Sequence, residues 1–124
     1  MKLFQPLRFI IIGLLAALTH YCITLFLINK IHIDLKYANF VAFITAFWVS
    51  YFGHHYFTFY SQQSVSQTLP KYIIVATSGF IFNESILLIL NHCFPNSLAI
   101  LIILVIFLTA LFTFFLNRTF AFRY

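Results

Sequence analysis

Acidic side chains are almost missing from this chain: its 124 residues hold two, Asp34 and Glu84. They stand 50 positions apart in different segments, and nothing in that spacing suggests the paired carboxylates of general acid–base hydrolysis. Cysteine is limited to Cys22, inside an apolar run, and Cys93, in a polar turn, which argues against an intrachain disulfide. Neither joins His32, Asp34 or His92 in a zinc-like spacing. The three glycines form no phosphate-cradling loop and flank no nucleophilic serine. Hydrolytic and group-transfer chemistry therefore has no visible apparatus, and no enzymatic activity, cofactor or metal is expected. Charge of either sign is scarce as well. Charged residues make up 7% of the chain, against roughly 25% in a soluble domain. Such a chain cannot cover a water-facing surface, and its solvent is the bilayer.

What the chain does contain is apolar residues, 63% of the total, in four long stretches. Residues 9–28, 37–57, 72–90 and 98–116 are each about 19–21 residues long, near the ~20 residues of helix that cross a hydrocarbon core. Helices are the only plausible form, because every backbone group must be satisfied within its segment and four segments are too few for a closed barrel. Short polar stretches separate them: residues 29–36, a longer uncharged linker at 59–70, and a tight turn at 91–97 with Pro95.

The fourth stretch closes on Phe115-Leu116-Asn117-Arg118-Thr119-Phe120-Ala121-Phe122. A similar shape stands 63 positions earlier, Phe52-Gly53-His54-His55-Tyr56-Phe57-Thr58-Phe59. The same offset carries Arg8-Phe9-Ile10-Ile11 onto Lys71-Tyr72-Ile73-Ile74. A single gapless shift at both ends of a half-chain predicts two tandem copies of a helical hairpin, at about 8–60 and 71–123. The expected fold is an all-α membrane protein of four transmembrane helices, built from two parallel helical-hairpin repeats in one domain.

Lys2, Arg8, Lys71, Arg118 and Arg123 fall on one side of that arrangement, and Lys30 and Lys36 on the other. The excess of cations predicts that both termini are cytoplasmic. Helix faces carry small and polar residues at helical spacing: Gly13, Ala17, His20 and Thr24; Asn39, Ala42, Ala46, Ser50 and Gly53; Ala76, Gly79 and Asn83; Thr109, Ala110, Thr113 and Asn117. Such stripes let membrane helices approach and hydrogen-bond across the seam, and they should face one another. Packing is the ordinary role for most of these positions.

Glu84 differs, because an acid at mid-membrane costs roughly 2.5–3.5 kcal/mol on the insertion scale. It must face protein, be protonated, or pair. By the repeat His20 corresponds to Asn83, so His20 and Glu84 should lie at one depth. His20, Asn39, Asn83 and Glu84 are the candidate polar pathway through the membrane. Arg8, Lys71, Asn117 and Arg118 form a candidate phosphate or headgroup rim, since the guanidinium fork suits phosphate. Arg118, inside the repeated motif, is its expected chief binder. Topology alone would also account for these cations. Phe57, Phe59, Tyr60, Phe120, Phe122 and Tyr124 read as an interfacial aromatic belt.

Arg8-Phe9 with Gly13, Ala38-Asn39, Phe57-Thr58-Phe59 and Asn117-Arg118-Thr119-Phe120-Ala121-Phe122 resemble the motifs of the GtrA-like family of small four-span membrane proteins. The resemblance covers almost the whole chain. One departure is His54-His55, where the first copy of the family motif usually has Asn followed by Arg or Lys. It removes the fixed cation there or makes phosphate binding pH-dependent. The resemblance implies a role in cell-envelope polysaccharide or glycolipid synthesis, moving a polyprenyl-phosphate-linked sugar across the cytoplasmic (inner) membrane beside a glycosyltransferase of the same pathway. Four helices enclose little space for a sugar, so a homodimer or a partner protein is expected; membrane lipid is the surrounding, and no nucleic-acid partner is expected. A scaffold that anchors the glycosyltransferase without transport is the alternative. A proton-coupled exporter of the small multidrug kind fits less well, because its acid lies in the first helix and its substrates are cations.

Overall fold

The computed structural model describes residues 2–123, which are helical apart from short connections and include no strand. The chain forms two compact units, residues 1–61 and 62–124.

Unit 1 opens with a 3-10 turn, Lys2–Phe4, that leads into α1, Gln5–Asn29. Pro6 sits in the first turn of α1, where its missing N–H removes no intrahelical bond. After a short loop, in which His32 takes a positive φ of 61°, α2 runs Leu35–Phe52. It then widens into a π-helical turn, Gly53–Thr58. α1 and α2 lie antiparallel, because Arg8 meets Phe57 and Tyr60 while His20 meets Asn39. Ala42 and Ala46 are buried on α2, as the small-residue stripe predicts, together with Ala38, which that stripe does not include, whereas Asn39 is exposed. On α1 the first half of the stripe is turned away: Gly13 and Ala17 are exposed, and a Cβ built on Gly13 meets nothing within 4 Å, while His20 further along still meets Asn39. α1 instead buries Gln5 and Ile12. Ile12 fits so tightly over Gly53 that an added Cβ would lie 2.6 Å from its Cγ2. The packing face of α1 is thus one residue, or about 100°, away from the small stripe.

Unit 2 holds α3, Val65–Cys93, and α4, Leu98–Leu116, followed by a second π-helical turn, Asn117–Ala121. α3 starts well before the end of the polar linker expected at 59–70. Ser64 and Gln67 make a reciprocal capping box, satisfying backbone N–H groups that the helix start leaves open. Pro70 lies inside the helix one turn later. These helices are also antiparallel, with Tyr72 against Phe122 and Asn83 against Thr109.

α1, α3 and the α4 segment Leu98–Ala121 are long and apolar enough to cross a membrane. α2 is helical but falls outside that group. Lys36, Tyr37, Asn39, Thr45 and Ser50 dilute its apolar character.

Candidate functional site

Both π-helical turns bring a cation and aromatic rings together at the end of their hairpin. In unit 1 the Phe59 N–H donates to the His54 carbonyl at 2.9 Å, the widened i+5 bond of a π-turn. Ser61 N–H donates to the His55 carbonyl at 2.9 Å. Between them Tyr60 is forced into the left-handed region at φ 48°, an uncommon conformation for a bulky residue. The strained turn places the Tyr60 ring against Arg8, whose guanidinium carbon is 4.9 Å from its centroid and 5.5 Å from that of Phe57. Such contacts contribute ~0.5–2 kcal/mol, more as water is excluded.

Arg8 is half-buried, and its Nη1 is buried with no hydrogen-bond partner. The only acid in unit 1, Asp34, lies beyond the far end of α1. One turn before Arg8, Gln5 is 7% exposed and its Oε1 also lacks a partner. The rings therefore hold a cation whose charge no carboxylate neutralises, beside an amide acceptor that nothing in the unit satisfies. A buried polar group in that state calls for an explanation.

Unit 2 has a plainer version. Phe122 N–H donates to the Asn117 carbonyl at 2.9 Å, and Lys71 Nζ lies 6.0 Å from the Phe120 centroid. Asn117 is 2% exposed, with its Oδ1 unpartnered. Arg118, the expected chief binder, is exposed and has no ring above it among the described residues. The contacts Arg8–Phe57 and Lys71–Phe120 are 63 positions apart at both residues, and so are Phe9–Phe59 and Tyr72–Phe122.

The family model described as GtrA/DPMS, transmembrane domain, matches residues 8–122. The chain belongs to that family. Neither curated proteins nor solved structures give a match. As a GtrA/DPMS domain the protein is a multi-pass membrane protein of glycolipid-sugar biosynthesis, in a family of generally non-catalytic members.

Within this GtrA/DPMS domain the remaining sequence candidates fall into separate places. His20 Nε2 and Asn39 Oδ1 are hydrogen-bonded at 2.8 Å, which joins two of the four pathway residues. Asn83 Nδ2 donates to Thr109 Oγ1 at 3.1 Å. Glu84 is exposed and shares none of these bonds. His54 and His55 are each 2% exposed. His54 stacks on Phe9 at 4.4 Å and bonds Thr58 Oγ1 at 3.0 Å, while the His55 ring lies 4.5 Å from that of Tyr56. Sequence reasoning missed Gln5, which precedes the first expected stretch at 9–28; the adjacent Pro6, a frequent first-turn residue, was the signal that a helix begins there. It also missed the backbone strain at Tyr60, for which a non-glycine residue gives no sign.

Proposed function

We propose that the protein translocates a polyprenyl-phosphate-linked sugar across the cytoplasmic membrane, with its phosphate captured at the Arg8–Phe57–Tyr60 cage. Lys71, Asn117 and Arg118 serve the corresponding end of unit 2. The observation that carries this reading is the Arg8 guanidinium: caged by two rings, half-buried, and lacking any acid in its unit. A phosphate monoanion matches such a cation, because a planar guanidinium gives paired N–H donors and the rings exclude water. The rings also suit the first units of a polyprenyl chain, which are apolar and unsaturated. In this reading the chain spans the membrane four times as two tandem hairpin copies, with both rims at the cytoplasmic face. The equivalent contacts 63 positions apart support the two copies. His20–Asn39 and Asn83–Thr109 lie deeper and offer hydrogen bonds to sugar hydroxyls. A glycosyltransferase that makes the lipid-linked sugar is the natural partner.

The test is flipping of a polyprenyl-phosphate sugar in proteoliposomes holding only this protein. Arg8→Gln should lower the rate at least roughly tenfold, the scale of one lost charge-assisted contact. Arg8→Lys should retain part of it, and Lys36→Gln, at the other end of the hairpin, should leave it unchanged. Equal losses for Arg8→Gln and Lys36→Gln would sink the rim site. Absence of flipping by the unmutated protein, with the glycosyltransferase lost from membranes of a deletion strain, would replace transport by a scaffold.

A further inference from the structure

Gln5 and Arg8 stand one turn apart on α1, and each buries a polar atom that no other group satisfies. Arg8 Nη1 donates to nothing, and Gln5 Oε1 accepts nothing, among the described residues. Residues three apart are neighbours on a helix surface, yet this donor and this acceptor are not bonded to each other. Side chains on a helix lean toward its N-terminus, and Gln5 is in the turn on that side of Arg8.

Gln5 is the more telling of the two. An arginine at a membrane edge has topology as an ordinary reason. A glutamine that is 7% exposed, with an unmet carbonyl, has none and costs stability. The first turn of α1 holds no acidic residue and no side-chain cap, so the helix end adds positive partial charge at the same place.

Together the two unmet groups specify what a ligand must carry. Arg8 takes an anionic oxygen. Gln5 requires a donor, and the anion cannot supply it. A phosphodiester has no P–OH, and a phosphate monoester beside a guanidinium is held as the dianion, since its second proton leaves near pH ~6 even without that help. The donor is therefore a hydroxyl or an amide N–H attached close to the phosphate. The nearest position for it is the carbon next to the one that bears the ester oxygen. A sugar linked to phosphate through its anomeric carbon carries such a group, and so does phosphatidylglycerol.

We propose that Gln5 accepts a hydrogen bond from a hydroxyl or amide N–H adjoining the phosphodiester held by Arg8, and that through Gln5 the site prefers such a lipid to a plain phosphodiester. The inference rests on phosphate capture at the Arg8 cage and deepens it. Arg8 serves any anionic lipid, and Gln5 adds the preference for a substituted one. Every residue involved belongs to unit 1.

The measurement is equilibrium binding to the full-length protein in phosphatidylcholine nanodiscs. Two short prenyl probes share one tail: the glucosyl phosphodiester, and the methyl phosphodiester, which has the same charge and no hydroxyl. The unmutated protein should bind the glucosyl probe about tenfold more tightly, the scale of one hydrogen bond to a buried unmet group. Gln5→Met, similar in size but without the amide, should bind both probes equally, at the level of the methyl probe. Arg8→Gln should weaken both by a common factor. Phosphatidylglycerol as competitor separates the two sources. Weak displacement assigns the hydroxyl to the sugar, and strong displacement that is lost in Gln5→Met assigns it to bulk lipid. Equal losses for both probes in Gln5→Met, or no loss, would overturn the proposal. Phosphate capture would then still stand as long as Arg8→Gln weakens binding. Unchanged binding in Arg8→Gln would remove phosphate capture itself, and this proposal with it. If Gln5→Met does not fold, the unmutated protein decides alone, and a preference under about twofold overturns the proposal.

Discussion

His54 is 2% exposed, its ring stacked 4.4 Å from Phe9 and its Nδ1 3.0 Å from the Thr58 hydroxyl. Arg8 stands next to Phe9 in sequence but is only half-buried, under Phe57 and Tyr60. The histidine therefore holds the π-turn in place, while the arginine presents charge. This difference predicts opposite outcomes. His54→Ala removes a buried ring and strands the Thr58 hydroxyl, so it should destabilise unit 1 by about 2–4 kcal/mol. His54→Asn, the residue found at the corresponding position 117, restores a hydrogen-bonding group and should recover about half of that. Arg8→Gln should leave the melting temperature in detergent within a few degrees and lower flipping alone. Thermal denaturation with a flipping assay on the same preparations separates the two. Loss of flipping in a fully stable His54→Asn variant would instead make His54 a ligand-binding residue. The residue types at this end were legible in sequence. Their division between buried and presented was not, because adjacent polar residues on a helix end look alike until the turn's width is known.

At the scale of elements, the hairpins were legible and their faces only partly so. Apolar length and turn residues locate α1, α4 and the end of α3 to within a few residues, and Ala42 and Ala46 mark the buried face of α2. Three features escaped. α3 begins at Val65 because the Ser64–Gln67 capping box outweighs the polarity of the stretch around it. The two π-turns add a residue to a helical turn without any periodicity signal. α1 packs through Ile12, one position from Gly13 of its small-residue stripe, because Gly53 at the start of the first π-turn leaves a gap that a branched side chain fills. Glycines that look equivalent in the sequence should thus differ sharply when replaced. Gly79→Val would drive a side chain into Thr113 and should cost about 1–3 kcal/mol through overpacking. Gly13→Ala meets open space and should be neutral, or stabilising by up to ~1 kcal/mol through helix propensity. Melting curves of both variants in one detergent check this. A larger loss for Gly13→Ala would mean that its face is covered in the membrane.

For the whole molecule the open question is which side of the membrane each rim faces. Each hairpin returns to the side where it began: Arg8 lies beside Phe57 in unit 1, and Lys71 beside Phe120 in unit 2. Residues 62–64 are all that separate the end of unit 1 from the start of α3. If each hairpin crosses and returns, Arg8, Lys71, Arg118 and Arg123 share one side, opposite Lys30, Lys36 and the α3–α4 turn. With Lys2, five cations against two favour the cytoplasm for the first group. A charged phosphate presented by an enzyme inside the cell would then meet the Arg8 cage first. Cys93 is exposed just before the α3–α4 turn and is a natural reporter. In a Cys22→Ser background, a membrane-impermeant maleimide added to intact cells should label Cys93. It should miss a cysteine placed at Gln62 when Cys93 is replaced by serine, until the membrane is permeabilised. The reverse pattern would put the Arg8 and Lys71 ends outside the cell. The rim would then serve release of the lipid-linked sugar rather than its capture. Labelling of both positions from one side would mean that α3 does not cross the membrane.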